Sequence, residues 1–405
     1  MWLALLLAAE LLDGNGFSRG LAPVDAGAPA AQLSARACAA CHADAHAEWR
    51  ASRHGLAWTN AIFQREYRQQ PLEWCVHCHA PLAEQLTELR ALGSAEEHPA
   101  VRAPIELAVP SGRAPEAASA PASSSLAAEG VTCAVCHLRA GRIVAADHRP
   151  SSPHDTDVRV GFGGPAFCAG CHQFNFPRIE GAGPTAHVVG YAAHPMQDTV
   201  DQHARGPLAQ TTCRACHAIS PGRHAYPGGH DPAMLARAVE LSTCRSGAAL
   251  RLTLTNVGAG HNVPTGDLHR HLVLRAWRPG APERLFEATF GRTFEADPAG
   301  GKRPTSDATL PPRATRVTDV PAAALGPAVA AEPIRVELRL VYTIDEFPFR
   351  GRELDEPTFA TVARQDVDWT HLARCPPGPR RPPEGARTPA RTPTPRENTS
   401  SLALP

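Results

Sequence analysis

Lysine is almost missing from this chain of 405 residues: Lys302 stands alone, and arginine carries nearly all of the positive charge. A surplus of charge is missing too, since 40 Lys and Arg offset 40 Asp and Glu. A protein that grips a phosphate backbone shows a basic excess gathered on one face, so nucleic acid is excluded as a partner. Aromatic residues make up only 5%, too few for a conventional aromatic core, although 43% of the residues are hydrophobic. Long apolar runs are lacking as well. The longest, Trp2 to Ala9, is far shorter than the roughly 20 residues that cross a bilayer, which excludes an integral membrane span.

What is plentiful is 40 Pro, 32 Gly, 20 His and 12 Cys. The length suits two or three domains. Met1 to Leu12 resembles the apolar part of an export signal, and Ala26-Gly27-Ala28 or Ala28-Pro29-Ala30 could serve as its small-residue cleavage site. No Lys or Arg precedes the apolar stretch, and Glu10 interrupts it. Residues 1–30 are therefore read as a signal-like leader and linker.

The cysteines say more. Ten of the twelve fall into five Cys-x-x-Cys-His units: Cys38/Cys41/His42, Cys75/Cys78/His79, Cys133/Cys136/His137, Cys168/Cys171/His172 and Cys213/Cys216/His217. Two thiols separated by two residues reach the two vinyl groups of one haem as thioethers, and the adjacent His is then held on the iron as proximal ligand. A zinc ribbon needs two Cys pairs per metal, has no use for a His after each pair, and would leave one of five pairs over. A disulfide framework fits chains far shorter than this one. The reading is five covalently bound haem c groups. Their attachment takes place on the outer side of the cytoplasmic membrane, so the chain is expected to be periplasmic or otherwise exported.

The five units crowd into residues 38–217, too little polypeptide per macrocycle for an independent protein core. The haems themselves become the core, wrapped by short helices and loops. Ala43 to Asn60 reads as one helix and Leu82 to Leu92 as a second, with Gly93 to Ala128 as a surface loop. A second His on an iron makes a six-coordinate relay centre, whereas an iron without one can bind a small molecule. The distal candidates are His54, His154, His224, His230 and His261, each beside small or turn residues that let backbone approach a porphyrin. His46, His77, His98, His148, His187, His194, His203, His269, His271 and His371 are read as non-ligands, with Met196 as an alternative to one distal His.

Several of these pieces together resemble a family. They are Cys41-His42 followed by Trp49, Ser52 and His54; Glu129-Gly130-Val131-Thr132-Cys133; Phe167-Cys168-Ala169-Gly170-Cys171-His172-Gln173-Phe174; and Met196-Gln197-Asp198-Thr199. The run from Cys38 to Asp231 is similar to the multihaem c-type cytochromes related to the tetrahaem nitrification cytochrome that accepts electrons from hydroxylamine oxidoreductase. The resemblance implies closely stacked haem pairs, bis-His ligation at most irons and periplasmic electron transfer. A fifth site and a C-terminal extension depart from the tetrahaem pattern, so neither partner nor substrate carries over.

Beyond about residue 240 the period changes to two. Leu250, Leu252 and Leu254 alternate with Arg251, Thr253 and Thr255, and Ile334, Val336, Leu338 and Leu340 alternate with Arg335, Glu337 and Arg339. Leu272 to Trp277, Leu285 to Phe290 and Thr315 to Val320 read as further strands. The expected architecture is thus a mainly α and irregular pentahaem domain over 31–240, a β-sandwich over 241–375 and a disordered Pro/Arg-rich tail over 376–405. The loop Asn256 to Gly266 is expected to fold back over the haem domain, with His261 capping an iron. Cys244 and Cys375 flank the β region and are read as a disulfide in an oxidising compartment.

Five haems would bring ten propionates, taking the net charge from zero to roughly −5 oxidised and −10 reduced. Arg–propionate pairing is then the expected work of arginine in the haem domain, and redox partners are expected to present basic patches. The function expected is electron transfer between a periplasmic donor and acceptor, with no catalytic residue. The alternative is a reductase or oxidase of a small nitrogen or sulfur compound using one five-coordinate haem.

Overall fold

The computed structural model describes residues 28, 30–94, 125–147, 153–218, 223–280, 284–326, 332–343 and 358–376. The expected leader up to residue 27, most of the Gly93 to Ala128 loop and the tail from 377 onward lie outside the described residues, as do His98 and His148.

The first part of the chain folds as short helices: α1 (Ala30–Leu33), α2 (Ala35–Ala39), α3 (Ala43–Ala51), α4 (Ala61–Gln69), α5 (Glu73–His79), α6 (Ala83–Ser94), α7 (Cys133–His137), α8 (Pro165–His172), α9 (Thr199–Ala204), α10 (Cys213–His217) and α11 (Pro232–Ala238). The expected helix from Ala43 to Asn60 stops at Ala51. Ser52 ends it, because its hydroxyl donates to the Trp49 carbonyl and accepts from the Gly55 amide, a local alternative to the helical ladder. A Cβ on Gly55 would lie 2.4 Å from the Trp49 carbonyl oxygen, so only glycine fits this reversal. The chain re-enters helix at α4, where the Asn60 side chain accepts from the Phe63 amide.

Strands also appear within the helical part. β1 (Leu138–Arg139), β2 (Arg142–Ala145) and β3 (Asp157–Val158) make a small sheet, and β4 (Gln173–Glu180) with β5 (His187–Asp198) makes an antiparallel hairpin. That hairpin departs from the expected short helices and loops. Its alternation is broken by Pro177 and Pro195, and three register shifts accommodate the irregularity.

The later part is β: β6 (Val239–Ser246), β7 (Ala249–Asn256), β8 (His271–Trp277), β9 (Arg284–Ala296), β10 (Lys302–Asp307), β11 (Thr315–Pro321), β12 (Ile334–Val341) and β13 (Phe359–Val367). They form two antiparallel sheets, ordered β10-β9-β8-β12-β13 and β11-β7-β6. Leu250, Leu252 and Leu254 of β7, Leu272, Leu274 and Ala276 of β8, and Ile334, Val336, Leu338 and Leu340 of β12 are at most 2% exposed and belong to one apolar cluster. Burying each large side chain stabilises by about 1.5–3 kcal/mol, which is why the period-two pattern sets the register here. The helical part has no comparable core. Its clusters hold four buried residues each, Leu33, Leu82, Ala134 and Val135 in one, Trp58, Val76, Ala80 and Leu86 in the other.

The β4–β5 hairpin ties the two parts together. Phe176 packs edge-on against Phe294 of β9 at 5.0 Å, and Arg292 donates to the Met196 carbonyl at 2.6 Å. Cys244 of β6 and Cys375 are disulfide-bonded across 131 residues, and the Arg245 amide donates to the Ala373 carbonyl beside it.

Candidate metal centres

Each Cys-x-x-Cys-His unit occupies about one helical turn. Units two to five lie in or complete α5, α7, α8 and α10, while the first runs from α2 into the turn before α3, with the His42 amide donating to the Cys38 carbonyl at 2.9 Å. One turn puts both thiols of a unit on the same side and the imidazole next to them. All ten of these cysteines are free thiols: Cys41 is exposed, and Cys38, Cys75, Cys78, Cys133, Cys136, Cys168, Cys171, Cys213 and Cys216 are half-buried.

Backbone carbonyls set the direction of the rings. The Ala57 carbonyl holds Nδ1 of His79 at 2.7 Å, the Val144 carbonyl that of His137 at 2.9 Å, and the Pro227 carbonyl that of His217 at 2.6 Å. A carbonyl can only accept, so Nδ1 carries the proton and Nε2 is left with its lone pair for a metal. Burial pushes the imidazoles of His54, His79 and His137 below the ordinary histidine range, and that of His172 down to about 4. Each is held in the neutral, ligating form.

Four of the five motif histidines face a second imidazole. The ring centroids are 6.2 Å apart for His42 and His154, 6.4 Å for His172 and His54, 6.2 Å for His137 and His224, and 6.3 Å for His217 and His261. An iron bonded at about 2 Å to one nitrogen of each of two opposed imidazoles holds their centroids roughly 6.3 Å apart. The residues present therefore fit a six-coordinate haem iron at four sites.

The structure shows what delivers three of the four distal rings. Trp49 donates from Nε1 to the Val131 carbonyl at 2.7 Å, and the Val131 amide donates to the His54 carbonyl at 2.9 Å. Gly130, at φ +61°, presses so closely on this loop that a Cβ would stand 2.7 Å from the same His54 oxygen. Glu48 of α3 accepts from the His224 amide at 2.7 Å and pairs with Arg223, and the amide first, then the guanidinium, hold its carboxyl below the usual carboxylate range. Fully buried Asn256 donates to the His261 and Leu310 carbonyls and accepts from the Ala259 amide, each at 3.0 Å. Sequence reasoning missed Glu48 and Asn256, whose only local signal is a polar residue close to a turn or loop histidine.

His79 differs. The ring stacked on it is Phe63, at 3.6 Å and nearly parallel, and among the described residues no imidazole stands opposite it. His230, expected as a distal ligand, is not brought there: Arg53 donates to its Nδ1 at 2.7 Å and its ring stacks on Tyr342 at 3.9 Å. Met196 is placed with its carbonyl on Arg292.

The units also touch one another. Hydrogen bonds join the thiols of Cys38 and Cys133, of Cys78 and Cys171, and of Cys168 and Cys213. Cys136 of unit three lies near Cys171 of unit four. Unit four thus contacts units two and five directly and lies beside unit three, which in turn meets unit one.

The fold is similar to that of a penta-haem cytochrome. The solved structure is the penta-haem cytochrome c552 from Thermochromatium tepidum, matched at a TM-score of 0.57 and 20% identity over 84% of this chain and 100% of that one. No family model matches the chain, and no curated protein matches it.

Proposed function

We propose that this chain attaches haem c at its five Cys-x-x-Cys-His units and relays single electrons between a donor and an acceptor protein outside the cytoplasm. The observation that carries the reading is the set of four opposed imidazole pairs at the spacing that spans an iron. Bound haem would supply a ferric/ferrous couple at each site. The protein's part is to fix the rings of His79, His137, His217 and His261 by a carbonyl on Nδ1, to keep His54, His79, His137, His172 and His261 neutral by burial, and to crowd the units into contact. Cysteines of neighbouring units lie side by side, so the five units adjoin one another, which supports a continuous relay. The likeness to a penta-haem cytochrome supports the count of five. The two β sheets closing on one apolar core read as a sandwich-like domain, whose loop delivers His261 to the fifth unit.

The test is low-temperature electron paramagnetic resonance on the ferric protein, with haem counted by pyridine haemochrome on the same sample. Five haems with a low-spin majority are expected, and fewer than five would overturn the site assignment.

A second reading has its own observation. His79 faces no imidazole among the described residues, which favours an exchangeable site there and with it a reductase or oxidase of a small nitrogen or sulfur compound. A high-spin signal that shifts on adding nitrite, hydroxylamine or sulfite would establish it. A spectrum without such a signal would remove it.

A further inference from the structure

Between the fourth unit and His79 lies a cluster of cationic groups that the imidazole pairs do not use. Arg270 is half-buried, and burial lowers its pKa while the nearby Asp267 carboxylate and Tyr342 oppose the shift. Its side chain donates through a long contact from Nη1 to the Thr265 carbonyl at 3.4 Å. Two glycines make room for it: a Cβ on Gly266 would stand 3.0 Å from Nη1, and one on Gly229 3.7 Å. A guanidinium drawn out of water is costly to desolvate, and one long contact to a neutral carbonyl repays little of that cost.

The second and third members of the cluster are Arg53 and His230. A guanidinium can only donate, so Nδ1 of His230, 2.7 Å from Nη2 of Arg53, is the acceptor. The neutral ring then carries its proton on Nε2 as a donor. Burial, Arg53 and Arg270 together depress its pKa to about 2, so it stays neutral. Tyr342 clamps the ring face and spends its own hydroxyl on the Gly229 carbonyl at 2.9 Å. The cluster borders two units: Arg270 acts electrostatically on His172, and the Asp267 carboxylate acts on both Arg270 and His79.

We propose that Arg53, His230 and Arg270 form a binding site for a planar two-oxygen anion beside the His54–His172 pair and His79. Guanidinium forks and an imidazole N–H suit a carboxylate or a small oxyanion equally. The anion is either the propionate of an adjacent haem, an arm that rests on the haem assignment above, or a free oxyanion such as nitrite.

The test compares the haem-loaded protein with Arg270→Gln, which removes charge and fork, and Arg270→Lys, which keeps the charge. Haem is counted on every sample, so a failed haem assignment shows as a low count in the unaltered protein. If a propionate fills the site, Arg270→Gln shifts the propionate bending band in resonance Raman and lowers one midpoint potential, Arg270→Lys keeps most of the potential, and added nitrite changes neither. If a free oxyanion fills it, nitrite perturbs the unaltered protein saturably, and Arg270→Gln weakens that binding roughly ten- to hundredfold. Should Arg270→Gln fail to accumulate, Arg270→Lys and His230→Phe provide the same comparison. Unchanged Raman bands, potentials and nitrite titrations in the variants would overturn the proposal.

Discussion

His261 stands opposite His217 with its Nδ1 held by the Asn262 carbonyl at 2.9 Å. His261→Gly removes one ring of that pair and leaves the Pro227 carbonyl on His217 untouched. One additional high-spin signal is expected in the ferric spectrum with the haem count unchanged, and an unaltered spectrum would show that His261 is no ligand. Position in sequence could not distinguish His261 from His230. Both follow glycine, and their difference lies in neighbours far along the chain, Tyr342 and Arg53 for one and His217 for the other. A different residue-scale feature is Glu337, 0% exposed and paired with Arg275, Arg339 and Arg364. Glu337→Gln leaves three guanidinium groups facing a neutral amide. A loss of about 3–5 kcal/mol is expected in urea unfolding followed in the β domain.

At the scale of elements, the loop from Asn256 to Gly266 leaves the β domain and crosses the helical part, where a Cβ on Gly260 would meet His203 Cδ2 at 3.1 Å. Asn256→Ala removes three hydrogen bonds that shape this loop. Stability should fall by about 2–4 kcal/mol, and the His261 high-spin signal should appear in part of the population. The strands β7 and β12 were legible because a half-buried strand repeats every two residues, and the helix α6 because Leu82 and Leu86 recur on one face. The β4–β5 hairpin was not, since Pro-interrupted alternation leaves no clean period. The stop at Ala51 depends on a serine hydroxyl choosing the backbone over water, which pattern alone does not report.

Over the whole molecule, two constraints act independently. The Cys244–Cys375 disulfide closes a span of 131 residues around the β domain, and a loop of that size contributes on the order of 4–5 kcal/mol in the chain-entropy account. Cys244→Ser should lower the β-domain melting temperature while leaving the haem spectrum as it was. Acid acts on the other part. His172 and His261 are depressed from 6.5 to about 4 by burial, with neighbouring cationic groups adding to it. Below about pH 6.5 the unfolded chain binds protons that the folded one refuses, so stability is lost as the pH falls from there towards about 4. The urea midpoint should therefore be lower at about pH 4.5 than at pH 7, and an unchanged midpoint would contradict the buried, neutral assignment.

The five Cys-x-x-Cys-His units could be read from sequence alone, because two thiols and an imidazole within one helical turn are a local chemical fact that needs no fold. The period-two strands were equally local, since alternation is written in consecutive residues. Which imidazole opposes which was decided only by tertiary structure. His54 meets His172, and His137 meets His224, across long stretches of chain. Those encounters depend on Gly130, Glu48 and Asn256 bringing backbone segments together, and the absence of an imidazole opposite His79 among the described residues was invisible for the same reason. A ligand pair drawn from distant parts of the chain is a property of packing, and packing is settled by contacts that no spacing rule contains.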